Sequence, residues 1–163
     1  MENVVTHEDW RSCFSELAPG LLLFARQWVS SRADAEDIVQ EAFIRFWRRN
    51  HKIDNRPLLY ATVRSIALDL IRRDSRRARR EAKAVSESEQ VVEPQFELAD
   101  EAQFALAAAL DRLPHDQREV LVMKIWNELT FAEIATALNI SQNTAASRYR
   151  YALAALKRIF QPQ

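Results

Sequence analysis

Apolar residues recur along this chain at the spacing of one helix face, from about Trp10 to Leu17, Leu21 to Val29, Ile38 to Trp47 and Leu59 to Ile71. The pattern predicts four helices in the N-terminal half. It then fails, because residues 81–100 hold Ser86, Ser88, Pro94 and repeated Glu with little apolar content, which predicts an irregular linker. Helical spacing returns from Phe104 to Leu113, stops at Pro114, and resumes from Val120 to Trp126, Phe131 to Leu138 and Ala145 to Phe160. No strand alternation or hairpin dipeptide competes. The expectation is an all-α chain of two small helical domains, each of four helices, over residues 1–80 and 101–163, joined by an acidic flexible linker over 81–100.

Composition agrees, with a single glycine, Gly20, in 163 residues, and abundant Ala, Leu, Arg and Glu. One cysteine, Cys13, cannot form an internal disulfide, and neither a leader peptide nor an apolar span of membrane length is evident. The expected location is the cytoplasm. The formal net charge of zero hides a segregation. Met1–Arg80 carries 15 basic and 11 acidic residues, Glu81–Glu119 carries 3 and 10, and Val120–Gln163 carries 5 and 2. Two basic ends around an acidic middle point to a polyanion touched twice, with nucleic acid the leading partner class.

Local signals are strongest near the C-terminus. Thr130 and Glu133 form a T-x-x-E capping box that starts a short helix, Asn139 tolerates the left-handed backbone of a tight turn, and Ser141 can cap the next helix. In that next helix Ala145, Tyr149, Ala152, Leu156 and Ile159 share a stripe, leaving Gln142, Asn143, Thr144, Ser147, Arg148, Arg150 and Tyr151 to face outward. These are groove-reading types on a helix-turn-helix, although the pattern alone also fits an ordinary helical hairpin with a solvated polar face.

Two further signals lie upstream. A helix from about Ala33 to Arg49 buries Ile38, Val39, Ala42, Phe43 and Phe46, yet Ile44 falls within its polar face near Asp37, Gln40, Glu41 and Arg48. A lone exposed Ile needs no function, and equally such a mixed face suits docking on a partner helix. Six arginines, Arg72, Arg73, Arg76, Arg77, Arg79 and Arg80, crowd nine residues relieved only by Asp74, and their mutual repulsion favours a nearby phosphate backbone. The stretch from Asn50 to Arg56 mixes hydrogen-bonding and basic types before Pro57, which can open a helix and leave room for an extruded base. Catalysis finds no support: His7, His51, His115 and Cys13 lack metal-like spacing, and no glycine-rich loop exists, so no cofactor is expected.

These segments together resemble the extracytoplasmic-function sigma factors of bacterial RNA polymerase, which retain only the domains called regions two and four. R-A-D-A-E-D-I-V-Q-E-A-F-I-R-F-W, Arg32 to Trp47, is similar to region 2.2. The resemblance implies that Asp37, Gln40, Glu41, Ile44, Trp47 and Arg48 dock on the beta-prime clamp helices of core polymerase, with Asp37 and Gln40 foremost and Trp47 at the edge of the buried stripe. Leu59 to Arg73 is similar to regions 2.3 and 2.4, which implies −10 contacts by His51, Lys52, Asn55, Arg56, Arg64, Ser65, Arg72, Arg73, Arg76 and Arg77. Ser65 stands where the family usually has Asn, and Leu58 where an aromatic is usual.

Leu129 to Arg148 resembles region 4.2, with Asn143 in place of the commoner Gly and Tyr151 where a basic residue is frequent. It implies that Gln142, Asn143, Thr144, Ser147, Arg148, Arg150 and Tyr151 read the −35 element, Arg148 contributing discrimination of about 1–3 kcal/mol. Other implied partners are the beta flap, promoter DNA and an anti-sigma factor, without membrane insertion, and the acidic linker is implied to thread the polymerase's RNA channel. An operator-binding helix-turn-helix regulator and a helical protein-interaction module are the other classes compatible with the residues.

Overall fold

The computed structural model describes residues 7–52, 54–82 and 101–161, and the described residues hold seven helices and no strand. They fall into two compact units, Met1–Pro94 and Gln95–Gln163. Most of the expected linker, residues 83–100, lies outside the described residues.

The N-terminal unit contains α1 (His7–Ala25), α2 (Arg32–Arg48) and α3 (Arg56–Ala82), each packed on the other two. Among the described residues the expectation of four helices here is therefore corrected to three, because the segments Trp10–Leu17 and Leu21–Val29 do not make two helices. The first helix runs through Pro19 and ends at Ala25. Proline removes one backbone hydrogen bond, but Ser15, whose carbonyl would have accepted it, and Pro19 are both exposed, so water can substitute. Beyond the proline, Leu21, Phe24 and Ala25 are wholly buried and hold the continuation in place. Residues 26–28 form a turn, with Gln27 N–H donating to Phe24 O and Trp28 N–H to Ala25 O.

Ser31 caps α2 by accepting from Asp34 N–H at 3.2 Å. The helix ends where Asn50 adopts φ 52° and His51 N–H reaches back to Phe46 O at 3.1 Å, a left-handed C-terminal cap. Asn55 Oδ1 accepts from Leu58 N–H and opens α3 just before Pro57. The core combines Leu21 and Phe24 of α1, Ile38, Val39, Phe43 and Phe46 of α2, and Leu59, Tyr60, Val63 and Ala67 of α3. From Arg72 to Glu81 every residue of α3 is exposed, so about 15 Å of helix runs past the last core turn.

The C-terminal unit has the four helices expected: α4 (Glu101–Asp111), α5 (His115–Ile125), α6 (Phe131–Leu138) and α7 (Gln142–Phe160). α5 is enclosed by its neighbours, with Glu119, Val120, Leu121, Val122 and Met123 buried in succession. α7 packs on α4, α5 and α6. One part of this core joins Leu110, Leu113, Leu121 and Ala152, with Leu106, Trp126, Tyr149 and Leu156 against it.

Candidate nucleic-acid and partner-docking interfaces

On α2 the six residues expected to dock, Asp37, Gln40, Glu41, Ile44, Trp47 and Arg48, fall within an arc of roughly 120° at 100° per residue. Asp37, Gln40, Ile44, Trp47 and Arg48 are exposed and Glu41 is half-buried. Ile44 and Trp47 are 43% and 42% exposed, high for side chains of their size. Glu41 accepts from Arg45 Nε at 3.2 Å, a half-exposed pair one turn apart that is worth only about 0.3–0.5 kcal/mol.

A groove of about 590 Å³ between α1 and α2 flanks this strip, lined by His7, Trp10, Phe14, Phe43, Ile44 and Trp47 among others. The Trp47 ring stacks at 4.7 Å from His7 and meets Trp10 edge-on at 5.2 Å. The periodicity marks Trp10 as one face of a helix and nothing more, and only packing brings it to Trp47. On the other side of the strip a cleft between α2 and α3 gathers Asp34, Asp37, Glu41 and Asp69 with Arg45 and Arg73. Asp37 and Glu41 of the expected docking set and Arg73 of the expected −10 set thus share one cleft.

The other residues of the −10 set divide by role. Asn55 is spent partly on capping α3. His51 is half-buried, tilted against the Phe46 ring at 5.0 Å, while Lys52 is exposed and Arg56 and Arg64 are half-buried. Ser65, Arg72 and Arg76 lie within about 20° of a common line down the exposed face of α3. Arg72 lies 3.6 Å from Asp69 and Arg77 bonds Glu81 at 3.2 Å, both pairs being largely exposed.

The C-terminal motif is built as its residues predict. Thr130 Oγ1 accepts from Glu133 N–H at 3.1 Å and Glu133 Oε1 accepts from Thr130 N–H at 3.1 Å, completing the capping box. Asn139 sits at φ 55°, and Ile140 N–H donates to Ala135 O at 3.0 Å. Ser141 accepts from Thr144 N–H and donates its hydroxyl proton to Thr144 Oγ1 at 2.8 Å, so Thr144 is committed to the helix start. Gln142, Asn143, Arg150 and Tyr151 are exposed, Tyr151 at 65%, and Arg150 donates to Ser147 Oγ at 3.2 Å. Arg148 is different. Its side chain is 29% exposed and its Nε lies 3.6 Å from Asp116 Oδ2 on α5.

Among the described residues two groups have displaced acidities. Burial pushes the Tyr60 phenol well above its ordinary range, the Arg56 charge opposing this, and burial followed by the Glu16 charge raises the Cys13 thiol. Among the described residues no group of His, Cys, Asp or Glu is gathered as a metal site, and no helix is long and apolar enough to cross a membrane.

Residues 13–81 match the Sigma-70 region 2 family and residues 103–156 match Sigma-70, region 4. The ECF RNA polymerase sigma factor SigL of Mycobacterium tuberculosis (strain H37Rv) is 31% identical over 90% of this chain and 86% of its own length. The RNA polymerase sigma-E factor of Streptomyces coelicolor is 31% identical over 84% and 77%. Among solved structures, the sigma factor RpoE from Bartonella quintana, in complex with the anti-sigma factor NepR, superposes with a TM-score of 0.70 at 20% identity, covering 93% of this chain and 96% of that one. CnrH, in complex with the cytosolic domain of CnrY, gives 0.65 at 20% identity over 94% and 88%. With both regions present in order and relatives of that name matching along most of its length, the chain belongs to the ECF class of sigma-70 factors, the promoter-specificity subunits of RNA polymerase.

Proposed function

We propose that the chain programs core RNA polymerase by a division of labour between its ends and catalyses nothing itself. Residues 1–80 dock on the beta-prime clamp helices and open the −10 element, residues 101–163 engage the −35 element and the beta flap, and the acidic residues of 81–100 occupy a basic channel built for nucleic acid. Asp37, Gln40, Glu41, Ile44, Trp47 and Arg48 make the clamp contact. Their arrangement, an apolar centre ringed by charge, is that of a helix-docking hot spot.

At the −10 element His51, Lys52, Asn55, Arg56, Arg64 and Ser65 frame an extruded base, while Arg72, Arg73, Arg76 and Arg77 hold phosphates. At −35, Gln142, Asn143, Ser147, Arg150 and Tyr151 face the major groove, with Thr144 at the helix start and Arg148 at the edge of that face. The protein works in the cytoplasm beside the polymerase and is held in check by an anti-sigma factor.

The observation that carries this reading is the coexistence, in separate units, of the mixed apolar and charged strip on α2 and the polar face of a capped helix-turn-helix on α7. Reconstitution tests it. The purified chain should co-elute with core polymerase and confer promoter-dependent open complexes, detected by permanganate reactivity of unpaired thymines near −10. Failure to bind core would refute it.

A further inference from the structure

The pair Asp116–Arg148 has features that a base-reading arginine does not need. It joins α7 to α5, as Arg118–Asp111 joins α5 to α4, whereas Arg32–Glu36, Arg45–Glu41, Arg72–Asp69 and Arg77–Glu81 each lie within one helix. At 100° per residue Arg148 sits about 130° round α7 from the mean line through Asn143, Ser147 and Arg150, and only about 60° from Ala145, which is wholly buried. Its exposure matches this, since it is far less open than Tyr151.

Asp116 is equipped to be the fixed end of such a link. Its Oδ1 accepts from Gln117 N–H at 2.9 Å, which leaves Oδ2 for Arg148. It belongs to the first turn of α5, and Glu119 to Met123 of that helix are buried in succession, so the carboxylate rides on a well-anchored element. α7 follows α6 through a turn of three residues, Asn139 to Ser141, which constrains where it starts but only weakly how it rolls about its own axis. Recognition geometry tolerates roll errors of about 10–20°. A lone carboxylate beside DNA would also repel phosphate, and the guanidinium opposite cancels that charge locally.

We infer that Asp116 is a positioning residue for −35 recognition: through Arg148 it sets the roll of α7, and hence where Asn143, Ser147, Arg150 and Tyr151 meet the groove. The inference rests on the sigma reading and gives Arg148 a strut's role in place of the base contact expected from its position in the motif.

The test uses the full chain with core polymerase and reads the ratio of transcripts from a promoter with a matched −35 element to those from one with it substituted, alongside the same ratio for −10. Asp116→Asn and Arg148→Gln should each lower the −35 ratio on the order of tenfold, the two together no further, and leave the −10 ratio unchanged. The reversed pair, D116R with R148D, should recover most of the −35 ratio, a rescue that a DNA-contacting arginine could not show. A wild-type ratio in Asp116→Asn overturns the inference, and so does a reversed pair that recovers nothing, both leaving the sigma reading intact. An unsubstituted chain that confers no promoter preference at all sinks the sigma reading instead.

Discussion

Trp47 of α2 meets Trp10 of α1 edge-on, with ring centroids 5.2 Å apart and planes at 71°. With this contact made, Trp47 is still 42% exposed, so the indole packs on α1 and remains accessible. The two apolar residues of the docking strip therefore differ: Trp47 makes ring contacts with His7 and Trp10, whereas Ile44 lines the rim of the same groove.

That difference predicts separable effects. Ile44→Asp should weaken binding to core polymerase at least tenfold while changing folding stability by no more than about 0.5 kcal/mol, as for other surface substitutions. Trp47→Ala should lose both affinity and stability, because it also strips the Trp10 ring contact. Fluorescence titration against core and urea denaturation of the free chain measure the two.

Thr130→Ala breaks the capping box at the entry to α6 and should destabilise the C-terminal unit by about 1 kcal/mol. Thermal unfolding should show a lower midpoint for that unit, and Thr130→Ser should restore it, since serine caps through the same hydroxyl geometry.

Much of this unit is legible along the chain because its determinants are local. Thr130, Glu133, Asn139 and Ser141 each act within four residues of themselves, and all four do what their chemistry dictates. The N-terminal unit was less legible for the same reason reversed. Pro19 and Gly20 locally say stop, yet the burial of Leu21, Phe24 and Ala25 against the other helices outweighs one lost hydrogen bond. Trp10 at Trp47, Arg73 in the cleft with Asp37, and Asp116 at Arg148 were out of reach of the pattern, because periodicity assigns a residue to a face and leaves its partner on another helix unspecified.

The exposed arginines of α3 should act on DNA through charge alone. Arg72→Ala and Arg76→Ala are each expected to weaken holoenzyme binding to all promoter variants alike and to reduce the slope of log affinity against log salt by about 1. Titrations at several salt concentrations on matched and substituted −10 elements measure this, and a change confined to one base-pair position would mark base reading instead.

Tyr60 predicts an alkaline limit. Burial raises its folded-state pKa above the ordinary value of about 10, so the neutral phenol is favoured by the fold. Its contribution is fully present below pH of about 10 and is lost as pH rises from there towards the folded-state value. Denaturation of Tyr60→Phe should show a shallower loss of stability above that pH than the unsubstituted chain does.

The central claim, that this chain selects promoters for core polymerase through paired −35 and −10 elements, is tested most directly by single-round transcription on a randomised promoter library, with start sites sequenced with and without the protein. Discrete starts that appear only with the protein and share two motifs at a fixed spacing are the predicted result. Core polymerase that is unaffected, together with binding of the protein alone to a palindrome, would contradict the account and make it an operator-binding regulator.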